Sequence, residues 1–249
     1  MLSEARIIAV IPARYASTRF PGKMVAPLAG KPLVLHAYER ALRARLIEDA
    51  IIAADDVRIV EALAPYGAKV AMTRPDHPCG TNRIAEVAEQ CAAEIIVNVQ
   101  GDEVMIAPDT VDAVVKPLLD DPALGMSTAR HVIRNAADIE SPHVVKVVCD
   151  TRGRALYFSR HPIPYVRDAA DRPGARHWQH IGIYGYRRDF LLQYARMPQT
   201  PLEQLERLEQ LRVLENGFPI AVVDTAYESI GVDTPDELER ARGLLDREA

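Results

Sequence analysis

Arg6-Ile7-Ile8-Ala9-Val10-Ile11-Pro12, followed without a break by Ala13-Arg14-Tyr15-Ala16-Ser17-Thr18-Arg19-Phe20-Pro21-Gly22-Lys23, is the stretch whose reading decides the fold. The first part is a short apolar run stopped by proline, the pattern of a buried strand. The second part leaves the tip of that strand as a loop with two arginines, a lysine, small residues and a glycine, and no acidic residue. Small residues let backbone N–H groups come close to an anion, and cations on flexible stems add charge. At the carboxyl end of a first parallel strand, such a loop predicts a polyphosphate cradle whose cations have no carboxylate to pair them. It is not a P-loop, because the G-x-x-x-x-G-K-[ST] spacing is absent.

Working outward, strand and helix patterns alternate. Residues 31–45 carry helical spacing, Ala50-Ile51-Ile52-Ala53-Ala54 reads as a strand ending in Asp55-Asp56, and residues 57–64 as a helix closed near Pro65 and Gly67. Residues 69–72 form a third strand, residues 81–92 a helix, and Glu94-Ile95-Ile96-Val97-Asn98-Val99 a fourth strand whose polar interruption is Asn98. This order predicts an α/β fold with a Rossmann-like, mostly parallel sheet, residues 7–11 and 95–99 lying side by side in it. Ligands of such sheets sit at the carboxyl ends of the strands.

After about Asp121 the pattern shifts. Residues 144–148 and 154–159 alternate like antiparallel strands around Asp150-Thr151-Arg152-Gly153, and alternation turns Lys146 outward. Residues 165–178 read as a polar loop, residues 201–215 as one amphipathic helix with Leu205, Leu208 and Leu211 inward, and residues 236–247 as a C-terminal helix. The expected organisation is one α/β domain over 1–249, with a nucleotide-binding half of about 1–125 and a smaller second half of about 126–249.

Composition bounds the function. With 48% hydrophobic residues the 249-residue chain can build a sizeable core, and a net charge of −5 argues against a nucleic-acid surface. Three cysteines without metal-site spacing suggest reduced thiols, and the lack of a long apolar run or leader-like start predicts a cytoplasmic protein that neither crosses a membrane nor is secreted.

Gln100-Gly101-Asp102-Glu103 sets a carboxylate just beyond a buried strand, where it can hold Mg²⁺ against phosphate oxygens or simply cap a turn. Asp233, in Gly231-Val232-Asp233-Thr234-Pro235, reads by position as a helix entry. Gly80-Thr81 at another helix entry can offer N–H groups to an anion or a base edge. His180 and Tyr184 are four apart in a strand and so share a face. Glu209 and Gln210 read as a solvated helix face, Cys79 as a small filler without a base to make it a nucleophile, and His77 as a helix-entry residue.

The order R-Y-A-S-T-R-F-P-G-K over residues 14–23 resembles the nucleotide-binding signature of cytidylyltransferases that load CMP onto acidic sugars. Within that group the chain is similar to the 3-deoxy-D-manno-octulosonate (Kdo) cytidylyltransferase family. G-V-D-T-P at 231–235, H-I-G-I-Y-G-Y at 180–186, L-E-Q-L-R at 208–212 and V-K-V-V at 145–148 match as well. The resemblance implies transfer of CMP from CTP to an acidic acceptor, Mg²⁺ as cofactor and a homodimer whose second half binds the acceptor and the other subunit. It implies Lys23, Asp102 and Asp233 as catalytic residues, the two aspartates holding the metal. Pro12, Ala13, Arg14, Lys23, Gly80, Arg83 and Gln100 are then nucleotide contacts. Arg19, His143, His161, His180, Tyr184, Glu209 and Gln210 are acceptor contacts. The chain departs from the family at Cys79, Asn82, Val104, Ser141-Pro142-His143 and His161. Kdo is the expected acceptor, with 8-amino-Kdo, another sugar acid or a small phosphonate such as phosphonoformate as alternatives suggested by His143 and His161.

Overall fold

Strand β1 (Ile7–Ala13) is buried along all seven residues, which is why its sequence is continuously apolar. The computed structural model describes residues 2–16, 20–228 and 231–248. In it β1 lies between β4 (Asp49–Ala54) and β6 (Ile95–Asn98), parallel to both. Ile7, Ala9 and Ile11 pack with helix α1 (Leu33–Leu42), whereas Ile8 and Val10 pack with α3 (Gly80–Glu89) on the opposite face. Each branched side chain so buried contributes about 1.5–3 kcal/mol.

Between these elements come a small ribbon of β2 (Pro27–Leu28) and β3 (Lys31–Pro32), helix α2 (Val57–Leu63) and β5 (Val70–Met72), which extends the parallel run beside β4. Among the described residues the main sheet has nine strands, seven along the path β11-β7-β10-β6-β1-β4-β5 with β8 and β9 joined beside β10. In the second half α4 (Pro108–Asp120) leads to β7 (Met126–Val132), and α5 (Ala136–Glu140) leads to β8 (Lys146–Cys149) and β9 (Ala155–Ser159), an antiparallel pair as expected. β10 (Trp178–Arg187) runs antiparallel between β6 and β7, and β8 pairs with it too. This insertion brings residues of the second half beside the carboxyl end of β6. Helix α6 (Arg188–Arg196) follows, and β11 (Ile220–Asp224) closes the sheet in parallel with β7.

Two expectations need correction. Residues 201–215 are not one helix but α7 (Pro201–Glu206) and α8 (Leu211–Glu215), broken at Arg207, whose φ of 55° is left-handed. The break turns Leu205 out to solvent, while Leu208 and Leu211 are buried as expected. Lys146 does not point outward: it has no exposed surface, because β8 lies between β9 and β10 rather than at an edge. Among the described residues no helix is long and apolar enough to cross a membrane. Helix α9 (Pro235–Glu248) ends the described chain.

Candidate active site

Gly22 takes a left-handed conformation, φ 71°, that most side chains avoid, and this turn aims the next residue, Lys23, into the protein. The Lys23 ammonium donates to Asp102 Oδ2 at 2.7 Å and to Asp233 Oδ1 at 2.8 Å. Asp102 is delivered by the loop after β6. There a Cβ on Gly101 would come within 3.0 Å of Met24 Sδ and of the Pro12 carbonyl, so only glycine lets the loop close on β1. Asp233 is delivered by the entry to α9, where the Glu237 carboxylate accepts from the N–H groups of Asp233 and Thr234 at 2.7 and 3.0 Å. Val232 N–H donates to the Asp102 carbonyl at 3.2 Å and ties the two loops together. Burial alone would lower the Lys23 pKa, but the charges and hydrogen bonds of Asp102 and Asp233 outweigh it and leave the pKa raised.

Two carboxylates held within reach of one point form a hard-oxygen donor set of the kind Mg²⁺ takes. Among the described residues no group of three His, Cys, Asp or Glu side chains is arranged to hold a metal.

The loop's cations are not free of carboxylates, contrary to the expectation from sequence. The partners come from other strand ends. Lys23 has its two aspartates, and Arg14 Nε lies 4.0 Å from Asp55 Oδ2. Asp55, just beyond β4, also accepts from Tyr15 N–H at 2.8 Å and from Arg83 Nη2 at 3.3 Å. Arg83 has no exposed surface, and its Nη1 donates to Thr73 Oγ1 and the Arg74 carbonyl. It is therefore buried behind the loop after β1, where its Nη groups hold Asp55, Thr73 and Arg74 and its Nε has no partner among the described residues. The Arg58 guanidinium stacks 3.6 Å from the Tyr15 ring and holds the loop from outside. Arg19 lies outside the described residues.

Beside this cluster a cavity of about 370 Å³ opens between the tip of β6, β10 and the segment joining α7 to α8. Gly80, Gln100, His143, His180, Tyr184, Glu209 and Gln210 all line it. Pro12 packs against Gly80, and Ala13 is buried at the end of β1. His161 is not on its wall: the residue is exposed and its Nδ1 lies 3.2 Å from the Pro162 carbonyl.

The cavity wall is polar and largely neutral. Burial pulls the His180 pKa down to about 3, so this imidazole is uncharged at neutral pH. Thr128 Oγ1 lies within hydrogen-bond distance of Ile183 O at 2.7 Å, Ile181 O at 3.2 Å and His180 Nε2 at 3.0 Å, and so holds the imidazole against β7. The His180 and Tyr184 rings lie 5.5 Å apart, on one face as the spacing predicted, although the β10 register to β7 shifts between Ile181 and Tyr184. Tyr184 is pushed up by burial first and by Glu209 second, so its phenol stays protonated and donates to Gln210 Oε1 at 3.4 Å.

Glu209 and Gln210 are not a solvated face. Glu209 accepts from Thr81 Oγ1 at 2.7 Å, and Gln210 is buried with an Nε2 that has no hydrogen-bond partner among the described residues. A buried donor left unpaired costs about 1–3 kcal/mol, which a ligand oxygen would recover. Cys79 fits its reading as a filler: burial first, then Glu209, raise its thiol to about 11, far from a thiolate.

Sequence reasoning missed Asp55, Thr128, Gln179 and Arg207 as site-forming residues, and it singled out Asn98 without giving it a role. Asn98 carried a signal, being the polar residue in an apolar strand; its Oδ1 accepts from Gln100 Nε2 at 3.0 Å. Asp55 carried a weaker one, as a carboxylate at a strand end. Thr128 and Gln179 reach the site only through sheet pairing that no local pattern shows.

Known proteins share both sequence and fold. A cytidylyltransferase family model matches residues 8–230. A Geobacter sulfurreducens protein named 3-deoxy-manno-octulosonate cytidylyltransferase is 54% identical over 242 residues, covering 94% of this chain and 97% of its own. One of the same name from Solibacter usitatus is 53% identical over 241 residues, covering 96% and 94%. The solved structure of a CMP:2-keto-3-deoxy-manno-octonic acid synthetase complexed with CTP superposes with a TM-score of 0.93 at 45% identity, over 98% of this chain and 100% of that one. A nucleotidyl transferase from Methanothermobacter, 14% identical with a TM-score of 0.64, shares the fold. This chain belongs to the cytidylyltransferase family and, within it, to the 3-deoxy-manno-octulosonate cytidylyltransferases.

Proposed function

We propose that the protein transfers CMP from CTP to Kdo and releases pyrophosphate. The observation that carries this reading is one juxtaposition: an ammonium held between a carboxylate after β6 and one at the entry to α9, beside a polar cavity whose Gln100 is two residues from Asp102. An acceptor hydroxyl attacks the α-phosphorus in line as pyrophosphate leaves, so the work of the protein is positioning and charge neutralisation.

Lys23, and Arg14 with half its side chain exposed, are the cations for triphosphate oxygens. Asp102 and Asp233 are the groups that would hold Mg²⁺, which supplies charge neutralisation at the phosphates and a lowered pKa for an acceptor hydroxyl. His180 is neutral and positions the acceptor as a hydrogen-bond partner, not as an acid or base. Tyr184 and Gln210 orient the sugar acid from the same wall. Small residues around Pro12, Ala13 and Gly80 leave room for backbone groups and Gln100 to read the pyrimidine edge.

In this reading residues of about 1–125 serve the nucleotide and those of about 126–249 the acceptor and a second subunit. Leu156 on β9 and Leu205 on α7, 62% and 80% exposed, stand on neighbouring elements of the second half, and covering them makes a homodimer the expected form. Free Cys79, Cys91 and Cys149 and the nucleotide substrate favour a cytoplasmic site of action.

Pyrophosphate release with CTP, Kdo and Mg²⁺ tests the reading. We expect turnover with Kdo and CTP that drops at least tenfold when ATP replaces CTP. Equal use of ATP, or no turnover of Kdo beside efficient use of another acid, would overturn it.

A further inference from the structure

Lys146 has no exposed surface, yet among the described residues no carboxylate stands within ion-pair distance of it. Its three N–H groups go to three backbone carbonyls: Ser141 O at 2.9 Å, Val144 O at 2.7 Å and Arg160 O at 2.5 Å. An ammonium has three donors, so this set saturates it. Arg160 repeats the pattern on the other side. Its Nε donates to Glu206 O at 2.7 Å, Nη1 to Pro142 O at 2.9 Å and Nη2 to Arg207 O at 3.4 Å. Two cations thus bind six carbonyls.

Those carbonyls belong to three segments that are distant in sequence: residues 141–144 before β8, the residue after β9, and the carboxyl end of α7. The Glu206 carboxylate adds to the joint, accepting from Ser159 Oγ at 2.6 Å and Arg160 N–H at 2.9 Å. Both outer segments carry cavity wall. The first carries His143, and the second runs from Arg207 through Leu208, Glu209 and Gln210. Arg207 must hold a left-handed backbone to make that turn, a conformation that costs about 1–3 kcal/mol unless its surroundings fix it. Arg160 on its carbonyl is one restraint; the Arg207 N–H and the Leu208 N–H, both donating to Glu203 O, are others.

Burying an ammonium is expensive and does not by itself favour stability. Here it secures geometry: an apolar residue in its place would leave the Val144 and Arg160 carbonyls without their partner, Ser141 O keeping only the Val144 N–H, and the two wall segments uncoupled. We propose that Lys146, acting with Arg160, is a positioning residue for the acceptor, a brace that sets the distance between the His143 segment and the Arg207–Gln210 segment. The nucleotide side does not share this brace, because the contacts of Arg14, Lys23, Asp102 and Asp233 include neither cation.

The inference rests on the cavity's being the acceptor site, and the test separates the two ideas. Steady-state kinetics of Lys146→Met, Lys146→Arg and Arg160→Lys, varying CTP and Kdo independently, is combined with amide hydrogen exchange on each protein without substrates. In Lys146→Met the KM for Kdo should rise about tenfold or more, as losing about 1.4 kcal/mol of acceptor binding would give, with KM for CTP within twofold of the parent. Lys146→Arg, which keeps the charge, should fall between the two. Exchange should quicken at residues 143–145 and at 207–210 together, while β1 and β6 amides stay protected.

A parallel rise in both KM values, or faster exchange confined to residues 143–145, would overturn the brace. If Lys146→Met does not fold, Lys146→Arg and Arg160→Lys carry the same decision. Failure of the unsubstituted enzyme to use Kdo would overturn the acceptor reading alone, since the exchange coupling is read without an acceptor.

Discussion

Around Lys23 the cations meet carboxylates that keep a route to solvent, whereas around Lys146 they bind backbone carbonyls. Asp102 and Asp233 retain 27% and 41% of their side-chain surface, and Arg14 retains 49%. A triphosphate and its cation can enter such a set by exchanging one ionic partner for another, because no buried charge is stranded. Lys146, behind the cavity wall, has no such freedom, since it is fully buried and its hydrogen bonds go to backbone carbonyls alone. One region is built to trade charge and the other to hold shape. The ligands expected at each differ in the same way: a triphosphate is recognised by charge, and a sugar acid also by where its hydroxyls fall.

The largest effect should come from removing charge where charge is traded. Asp102→Asn and Asp233→Asn keep the side-chain outline and lose the negative charge. Each should cut turnover about a thousandfold, at the upper end of what one preorganised electrostatic group supplies. Both proteins should still fold, because each aspartate is partly exposed and Lys23 retains the other partner. Pyrophosphate release and thermal melts measure the two quantities. Activity within a few-fold of the parent in either variant would erase the distinction between the two regions.

Next in size is a change that moves a charge without removing it. Gly101→Ala puts a Cβ 3.0 Å from Met24 Sδ and the Pro12 carbonyl and 3.3 Å from Val34 Cγ2. Because one of these neighbours is backbone, the Asp102 loop must shift, at about 1–3 kcal/mol of stability. Turnover should fall about tenfold with the KM for Kdo less affected, since His180, Tyr184 and Gln210 stand on other elements and only Gln100 of this loop lines the cavity. A variant as stable and as active as the parent would mean that Asp102 need not be held closely.

How much of this was legible in the sequence follows the same division. The β1 strand, its cationic loop and the strand-end Asp102 are local patterns: an apolar run, a lack of acids, a carboxylate one glycine past a strand. Asp233 was legible only through its resemblance to the family, because Asp before Thr-Pro is also an ordinary helix entry. The acceptor wall was misread where tertiary structure overrides local pattern. Residues 201–215 have helical periodicity throughout, and nothing local announces that Arg207 will turn left-handed under restraint from Arg160. Lys146 alternates outward on paper, but β9 covers the edge it would have faced. For Arg83 the resemblance implies a nucleotide contact, and no local pattern shows that the side chain is buried on Asp55 and Thr73. Its partners, Thr73 and Asp55, lie in segments ahead of it that no spacing rule connects.

The smallest and most specific test concerns a shape-holding group that can titrate. His180 is buried against Phe158, with ring centroids 4.9 Å apart, and its folded pKa is about 3 against an ordinary 6.5. The unfolded chain therefore takes up a proton below about pH 6.5 that the folded chain refuses until about pH 3. The stability tied to neutral His180 is fully present above pH 6.5 and is lost progressively as the pH falls through that window. One such proton sets a limiting slope of about 1.4 kcal/mol per pH unit. His180→Phe keeps an aromatic ring in the cavity wall and removes the titration, so its denaturation midpoint should fall less steeply between pH 6.5 and 4.5 than the parent's. In the same variant the KM for Kdo should rise several-fold while that for CTP stays near the parent value, because His180 lines the cavity and has no contact with Arg14, Lys23, Asp102 or Asp233. Equal acid slopes in parent and variant would show that His180 is solvated and free to take a proton. The acceptor wall would then be a second region that trades charge, and the contrast with Lys23 would fail at the residue where it is easiest to measure.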